Sequence, residues 1–332
     1  MGTSIRRMLT STLGLVVGLA ALTWAADQFV LGAVRVSARL RLSMVLIGAV
    51  VVGFGTSAPE MVVSGLAARQ GELDIAVGNI IGSNVANLSL VLGAAALVVP
   101  ILVASPNIRR EAPLSLAGTI LFALLVQNGL TATEGLILLI VLVAIISVIV
   151  VGSMGGPDEE ITSEVEEFLE DGDTDLRREV IRTLIGIIVT VVSAQVLVES
   201  ATGIAAELGL AEGFVGVSIV ALGTSLPELA TSLQAARKSE TDLIVGNLLG
   251  SNLFNSLAVG AVAALAGPGS VEDVTLTGRG IGIMLAVSVL ATVFMATGRR
   301  VVRWEGGMLL IMWVVMLPLL CLLYTSPSPR DS

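Results

Sequence analysis

Hydrophobic positions along this chain do not alternate, nor do they form narrow stripes. They come in runs of about twenty residues, broken by short polar stretches. Wound as a helix at 1.5 Å per residue, a run of about that length crosses a hydrocarbon core of about 30 Å. Ten runs, near 11–33, 42–66, 75–100, 113–127, 131–151, 180–206, 212–235, 243–266, 277–297 and 304–320, predict ten transmembrane helices. The fourth and fifth are parted only by Gln127–Thr131. Transmembrane strands would be shorter and alternating, so the expected class is an all-α polytopic membrane protein. Arg6 and Arg7 ahead of the first run imitate a signal peptide, but Asp27 inside it and the lack of a clean cleavage pattern predict a retained helix.

The polar residues that interrupt these runs are written twice. Residues 53–87 read GFGTSAPEMVVSGLAARQGELDIAVGNIIGSNVAN, and residues 221–255 read ALGTSLPELATSLQAARKSETDLIVGNLLGSNLFN. The two align without a gap at a spacing of 168, and eighteen of the 35 positions are identical. The identities fall on hydroxyl, amide and carboxylate groups more than on the apolar flanks, so the duplication preserves chemistry. Five runs per half is an odd number, so the second half enters the membrane in the opposite sense to the first. The expected architecture is two inverted five-helix repeats, a plan that puts the substrate site near the midplane. The divisions are 1–151 for the first repeat, 152–179 for an acidic linker, 180–320 for the second repeat, and 321–332 for a tail of different character. That tail, CLLYTSPSPRDS, reads as translated sequencing adapter and carries no expected function.

Charge orients the chain. With the N-terminus outside, thirteen Lys and Arg residues fall on the inner side against five outside, which satisfies the positive-inside rule. Ten of the 27 acids lie in Asp158–Asp175 with no basic residue among them, and this placement makes 152–179 a solvated cytoplasmic linker. The spacing of a helix–loop–helix calcium site is missing there.

Within each copy the oxygens fall into register. Thr56, Glu60 and Ser64 share a helical face at i, i+4, i+8, with Ser57 three residues before Glu60. Pro59 has no N–H, so the carbonyl of Gly55 loses its helical partner. At membrane depth a freed carbonyl needs protein, water or an ion. Asn79, Ser83 and Asn87 form a second stripe on the next run. The other copy repeats the set as Thr224, Ser225, Glu228 and Ser232, then Asn247, Ser251 and Asn255, with Gly223 freed by Pro227. Glu60 and Glu228 carry the functional reading, because no basic residue lies in the interior of the apolar runs to pair with them. Oxygen-only donors suit hard cations such as Ca²⁺ and Na⁺; soft metals would ask for sulfur or imidazole. Gly78–Gly82 and Gly246–Gly250 are expected to serve helix packing, and Asp27 with its counterpart Gln195 to be polar packing or vestibule residues.

Composition excludes much else. At 55% apolar and 14% charged, with mean hydropathy +0.95, the chain is far from a soluble average. It has no histidine and one cysteine, which removes the commonest general base, transition-metal clusters and internal disulfides. Without histidine or an intramembrane lysine to activate a serine, a hydrolase is not expected. Nothing basic enough to hold nucleic acid is present, and no protein partner or cofactor is implied.

At the GTS-x-PE and GN-x-x-GSN-x-x-N signatures, each present twice, the chain resembles the cation/calcium exchanger superfamily, in particular its sodium/calcium exchanger branch of bacteria and archaea. The likeness covers essentially 1–320. It implies an antiporter of the plasma membrane that exchanges Ca²⁺ for Na⁺ by alternating access, both ions sharing one site. It also implies the ligands: the carboxylates of Glu60 and Glu228, the carbonyls at Gly53 and Ala221, and the hydroxyls of Thr56, Ser57, Thr224 and Ser225. Ser83, Ser251 and Asn87 join them from the facing helices, with Asn255 as the counterpart of Asn87. Sodium-coupled relatives often carry aspartate where this chain has Asn255, and potassium-dependent relatives tend to carry it in both halves. The two amides argue against potassium cotransport and leave proton coupling open, although the proton-coupled branch shows GN-x-x-E where this chain has GTS-x-PE. A cation channel is the remaining alternative.

Overall fold

The computed structural model describes residues 2–40, 56–103, 106–153, 175–239 and 241–324. Gly53, Gly55, the first part of the second apolar run, nearly all of the acidic linker and residues 325–332 lie outside the described residues. The protein is a helical membrane protein, and each of the ten apolar runs is at least partly helical.

The first half holds α1 (Gly2–Arg39), α2 (Ala58–Arg69), α3 (Leu73–Ala86), α4 (Leu92–Val98), α5 (Pro106–Leu125) and α6 (Ala132–Ser153). A π-helical turn, Asn87–Val91, joins α3 to α4. The second half holds α7 (Leu176–Leu208), α8 (Glu212–Val215), α9 (Ala221–Thr224), α10 (Leu226–Lys238), α11 (Thr241–Phe254), α12 (Gly260–Ala266), α13 (Ile281–Ala296) and α14 (Arg303–Tyr324). Here too a π-turn, Asn255–Val259, joins α11 to α12, at the same spacing of 168.

Among the described residues, six helical stretches are long and apolar enough to cross a bilayer unaided: Arg6–Ser37, Leu73–Val98, Glu111–Asn128, Leu176–Leu208, Ile244–Ala266 and Leu276–Ala296. A seventh is broken: Glu212–Thr224 and Leu226–Arg237 meet at 41°. The break has the cause read from the sequence. Pro227 follows Ser225, whose φ −88° and ψ 5° leave the helical region. Ser57 ahead of Pro59 repeats it with φ −88° and ψ 7°.

Burial separates centre from rim. In Leu73–Val98 and Ile244–Ala266 the core-spanning windows are 83% buried, against 17% for α1 and 28% for α7. The two repeated polar stripes therefore lie on the innermost helices. Gly78 and Gly82 let α3 lie against the backbone of the other half: a Cβ on Gly82 would come within 2.3 Å of the Val217 carbonyl oxygen. That bears out the packing reading for this pair, whereas nothing lies within 4 Å of a Cβ on Gly250. At the rim, α1 and α7 pack along their length through Gly18 and Gly186, and Arg35 pairs with the fully buried Glu179 at 3.6 Å.

Two small straps tie the halves. β1 (Ile101–Leu102) pairs antiparallel with β2 (Arg300–Val301), and Leu130 bridges Gly269. Residue 269 is 101 plus 168, while 130 is close to 301 minus 168, so each strap is made with the roles of the halves exchanged.

Candidate functional site

The helix breaks at Ser57 and Ser225 place the next turn of α2 and α10 inside the protein, and that turn carries the glutamates. Glu60 is 1% exposed and Glu228 3%. Each was expected from its frame alone, and the structure brings them together, close enough that the charge of Glu228 acts on Glu60. The hydroxyl of Thr224, from the second half, sits beside the Glu60 carboxylate. That hydroxyl donates to Asn79 Oδ1 at 3.2 Å and lies 3.5 Å from Ser83 Oγ, both on α3 of the first half. One buried cluster therefore draws on both copies.

Its unusual property is what it leaves unmade. Buried polar atoms are nearly always hydrogen-bonded. Here Ser57 Oγ, both Glu60 oxygens, Asn87 Oδ1, Ser225 Oγ, Glu228 Oε2, Ser251 Oγ and the whole amide of Asn255 are buried and lack a partner among the described residues. Ser232 Oγ joins them. Seven of the ten side chains singled out from the sequence thus carry orphaned atoms, and these atoms are almost all oxygens. A buried unpaired polar group costs about 1–3 kcal/mol and a charged one more. A bound cation, with or without water, would complete such a set.

The remaining expected residues behave differently. Thr224 and Ser83 are bonded as described, and Thr56 faces a cavity. The carbonyl of Ala221 accepts the Ser225 N–H at 3.1 Å and lies 3.3 Å from the Thr224 hydroxyl, for whose single proton it competes with Asn79 Oδ1 at 3.2 Å. Gly53 lies outside the described residues.

Sequence reasoning missed a clasp behind the cluster. Asn252 Nδ2 donates to the Asn84 carbonyl at 3.1 Å, and Asn87 Nδ2 donates to Asn252 Oδ1 at 3.0 Å. Ser256 Oγ donates to Asn84 Oδ1 at 3.3 Å. This network joins the halves where the two π-turns begin. By taking the Asn87 N–H group, it leaves the Asn87 oxygen facing the cluster as a pure acceptor. The signal was available, since Asn84 and Asn252 are identical residues 168 apart, but within a motif rich in amides nothing marked them as the clasp.

A cavity of about 230 Å³ reaches the cluster from the side of Glu228. It is lined by Asp27 and Gln28 of α1, by Thr56, and by Glu228, Thr231 and Asn247 of the second half. It follows α10 beyond Glu228 and α1 toward Arg35. Asn247 is partly exposed there. Its counterpart Asn79 is fully buried and bonded to Ser64 Oγ at 3.0 Å as well as to Thr224. No group of three acidic, histidine or cysteine side chains with metal-holding geometry exists among the described residues; the cluster has two carboxylates and builds the rest from neutral oxygens.

Comparison with known proteins gives the same architecture. The profile of the family described as "Sodium/calcium exchanger protein" matches residues 10–151 and 179–322, once per half. CaxA of Alkalimonas amylolytica is 40% identical over 312 residues, 92% of this chain and 97% of that protein. The inner membrane protein YrbG of Escherichia coli is 34% identical over 321 residues, 93% and 97% of the two chains. Among solved structures, the sodium-calcium exchanger NCX_Mj soaked with Na⁺ and Sr²⁺ aligns with TM-score 0.63 at 28% identity, covering 94% of this chain and 98% of that one.

Proposed function

This chain belongs to the sodium/calcium exchanger protein family, and from that premise we propose that it is an antiporter exchanging Ca²⁺ for Na⁺ by alternating access through one shared site. The carrying observation is the set of orphaned buried oxygens, drawn from both halves around Glu60 and Glu228. Ca²⁺, or Na⁺ ions in its place, would occupy a cage of those two carboxylates with Ser57, Ser225, Ser251, Asn87 and Asn255. Thr56, Thr224, Ser83 and the carbonyls at Gly53 and Ala221 are the further ligands. Because the same oxygens serve either ion, binding of one excludes the other.

The frame of this reading is ten transmembrane helices in two inverted repeats, 1–151 and 180–320, joined by a cytoplasmic acidic linker, 152–179, with the N-terminus outside. The matched π-turns, the matched helix breaks and the exchanged straps support it. The cavity beside Glu228, set against the closed surroundings of Asn79, supports a carrier over a channel, because an open pore would reach the cluster from both faces. On the proposed topology this state faces the cytoplasm.

Exchange follows from the electrostatics. Desolvating a charge costs several kcal/mol even after relaxation. An empty cage with two ionised carboxylates is therefore hindered from moving between its facing states, while a loaded one is neutralised and free to move. The test is ⁴⁵Ca uptake into proteoliposomes under a sodium gradient, compared with a pH gradient at equal sodium. Sodium-driven uptake is expected. Uptake driven only by the pH gradient would replace sodium with protons in the same cage, and a calcium current without any countertransport would replace the carrier with a channel.

A further inference from the structure

Asp27 has no part in the cage, yet it lies well inside an apolar helix. It is exposed, and no hydrogen bond or ion pair involves it among the described residues. The basic residue two turns further along α1, Arg35, pairs instead with Glu179. A carboxylate at this depth is expensive and marks a functional position by default.

The surroundings of Asp27 say what that position does. Its exposure is to the cavity whose wall contains Glu228, and its charge is felt there. Gln28 and Asn247 contribute amide groups to the same wall, while Val30, Leu31 and Pro59 make the rest apolar. A low-dielectric cleft with one sign of charge focuses the field and concentrates counter-ions. The pseudo-equivalent residue, 168 positions on, is neutral: Gln195 accepts from Gln70 at 3.0 Å and donates to Glu199 at 2.6 Å. On that side the amide of Gln195 is engaged and the neighbouring carboxylate, Glu199, is bonded to it, whereas the carboxylate of Asp27 faces its cavity with no such partner among the described residues.

We infer that Asp27, with the amide oxygens of Gln28 and Asn247, forms an outer site where a partly hydrated Ca²⁺ or Na⁺ is held before it passes to Glu228. The site makes loading from the cavity side more effective than loading from the opposite face. This rests on the exchanger reading, and the tests are chosen to separate the two.

The first test is Ca²⁺/Ca²⁺ homoexchange in oriented proteoliposomes, with no sodium or pH gradient, so the identity of the coupling ion does not enter. Asp27→Asn should raise the apparent KM for Ca²⁺ offered on the cavity side by about tenfold, the lower end of electrostatic focusing in a cleft, with the maximal rate preserved. Added choline chloride should shrink the difference through screening, and Asp27→Glu should restore the wild-type KM. On the opposite face KM should not change. An unchanged KM on both faces, or an equal rise on both, would overturn the outer site, the latter pointing to altered packing of α1.

The second test is direct calcium titration of purified Glu60→Gln/Glu228→Gln protein, which needs no transport. One weak, millimolar-range Ca²⁺ site should remain, and adding Asp27→Asn should remove it. Absence of any residual site would sink the inference whatever the transport assays show.

Discussion

Replacing Glu60 by glutamine keeps the shape of the side chain and removes one charge, so it isolates the electrostatic part of the cage. Both Glu60 oxygens are buried without a donor, and the charge of Glu228 acts on the group. At an effective dielectric constant of about 20, two unit charges about 4 Å apart interact by about 4 kcal/mol, so a carboxylate and Ca²⁺ gain about 8 kcal/mol. If the amide oxygen that remains recovers half of this, about 4 kcal/mol is lost, close to a thousandfold in Kd. Two measurements read the result. Calcium titration of the purified protein should show affinity weaker by about that factor, and calcium at 100 times the wild-type Kd, which stabilises the wild type by about 2.7 kcal/mol, should no longer raise the melting temperature of the variant. The empty protein should respond in the opposite direction. One of two buried carboxylates that act on each other has gone, so calcium-free Glu60→Gln should melt at or above the calcium-free wild type. Calcium affinity within tenfold of wild type would refute the electrostatic reasoning. So would an empty variant less stable than the wild type, since Glu60 would then be a structural partner of something other than an ion.

Three further substitutions probe how the cage is held. Asn252→Leu removes both arms of the clasp, leaving the Asn87 side-chain N–H unpaired and the Asn84 carbonyl with the backbone N–H of Asn87, at about 1–3 kcal/mol for the unpaired donor; the melting temperature should fall and calcium affinity with it, because the Asn87 amide is no longer anchored, and a stable variant with unchanged affinity would show that the clasp positions nothing. Gly82→Ala and Gly250→Ala should differ although they occupy the same place in the two copies: a Cβ at Gly82 meets backbone at 2.3 Å while one at Gly250 meets nothing within 4 Å, so the first should lose about 1–3 kcal/mol by overpacking and the second should not. Equal melting temperatures for the two variants would contradict the packing described.

Much of this was legible because the chemistry is local. Whether Pro227 interrupts a helix depends on residues four apart, and the break appears at Ser225 as the spacing requires. Glu60 and Glu228 were legible because apolar neighbours leave a carboxylate few alternatives, and both are buried in one cluster. The π-turns were not legible. Widening one turn at Asn87 and again at Asn255 shifts the hydrogen-bond ladder by a residue but leaves an apolar run apolar, so hydropathy carries no trace of it. The helix count is subtler. Six stretches stand as spans on length and hydropathy, while the runs that hold the glutamates are broken by the same Ser-x-Pro sequence that builds the site. The feature that makes a span functional also makes it look less like a span.

What no symmetric motif can express is asymmetry. Asn79 and Asn247 are the same residue in the same frame, and so are Gly82 and Gly250. Yet Asn79 is sealed by Ser64 and Thr224 while Asn247 lines a cavity, and Gly82 is pressed against backbone while Gly250 is not. Differences between identical residues in matched frames come from the arrangement of the chain around them. If the halves exchanged surroundings, Asn247 would close on Ser232, whose hydroxyl is now buried without a partner, as Asn79 now closes on Ser64, and Asn79 would open onto a cavity on the other face. The orphaned Ser232 is thus the bond that the alternate state would make, which gives the proposed alternation a defined partner. Asp27 and Gln195 do not match, so that exchange would present an amide bonded to Glu199 on the second face where the first presents a carboxylate without a partner among the described residues, and the two directions of loading would differ in strength accordingly.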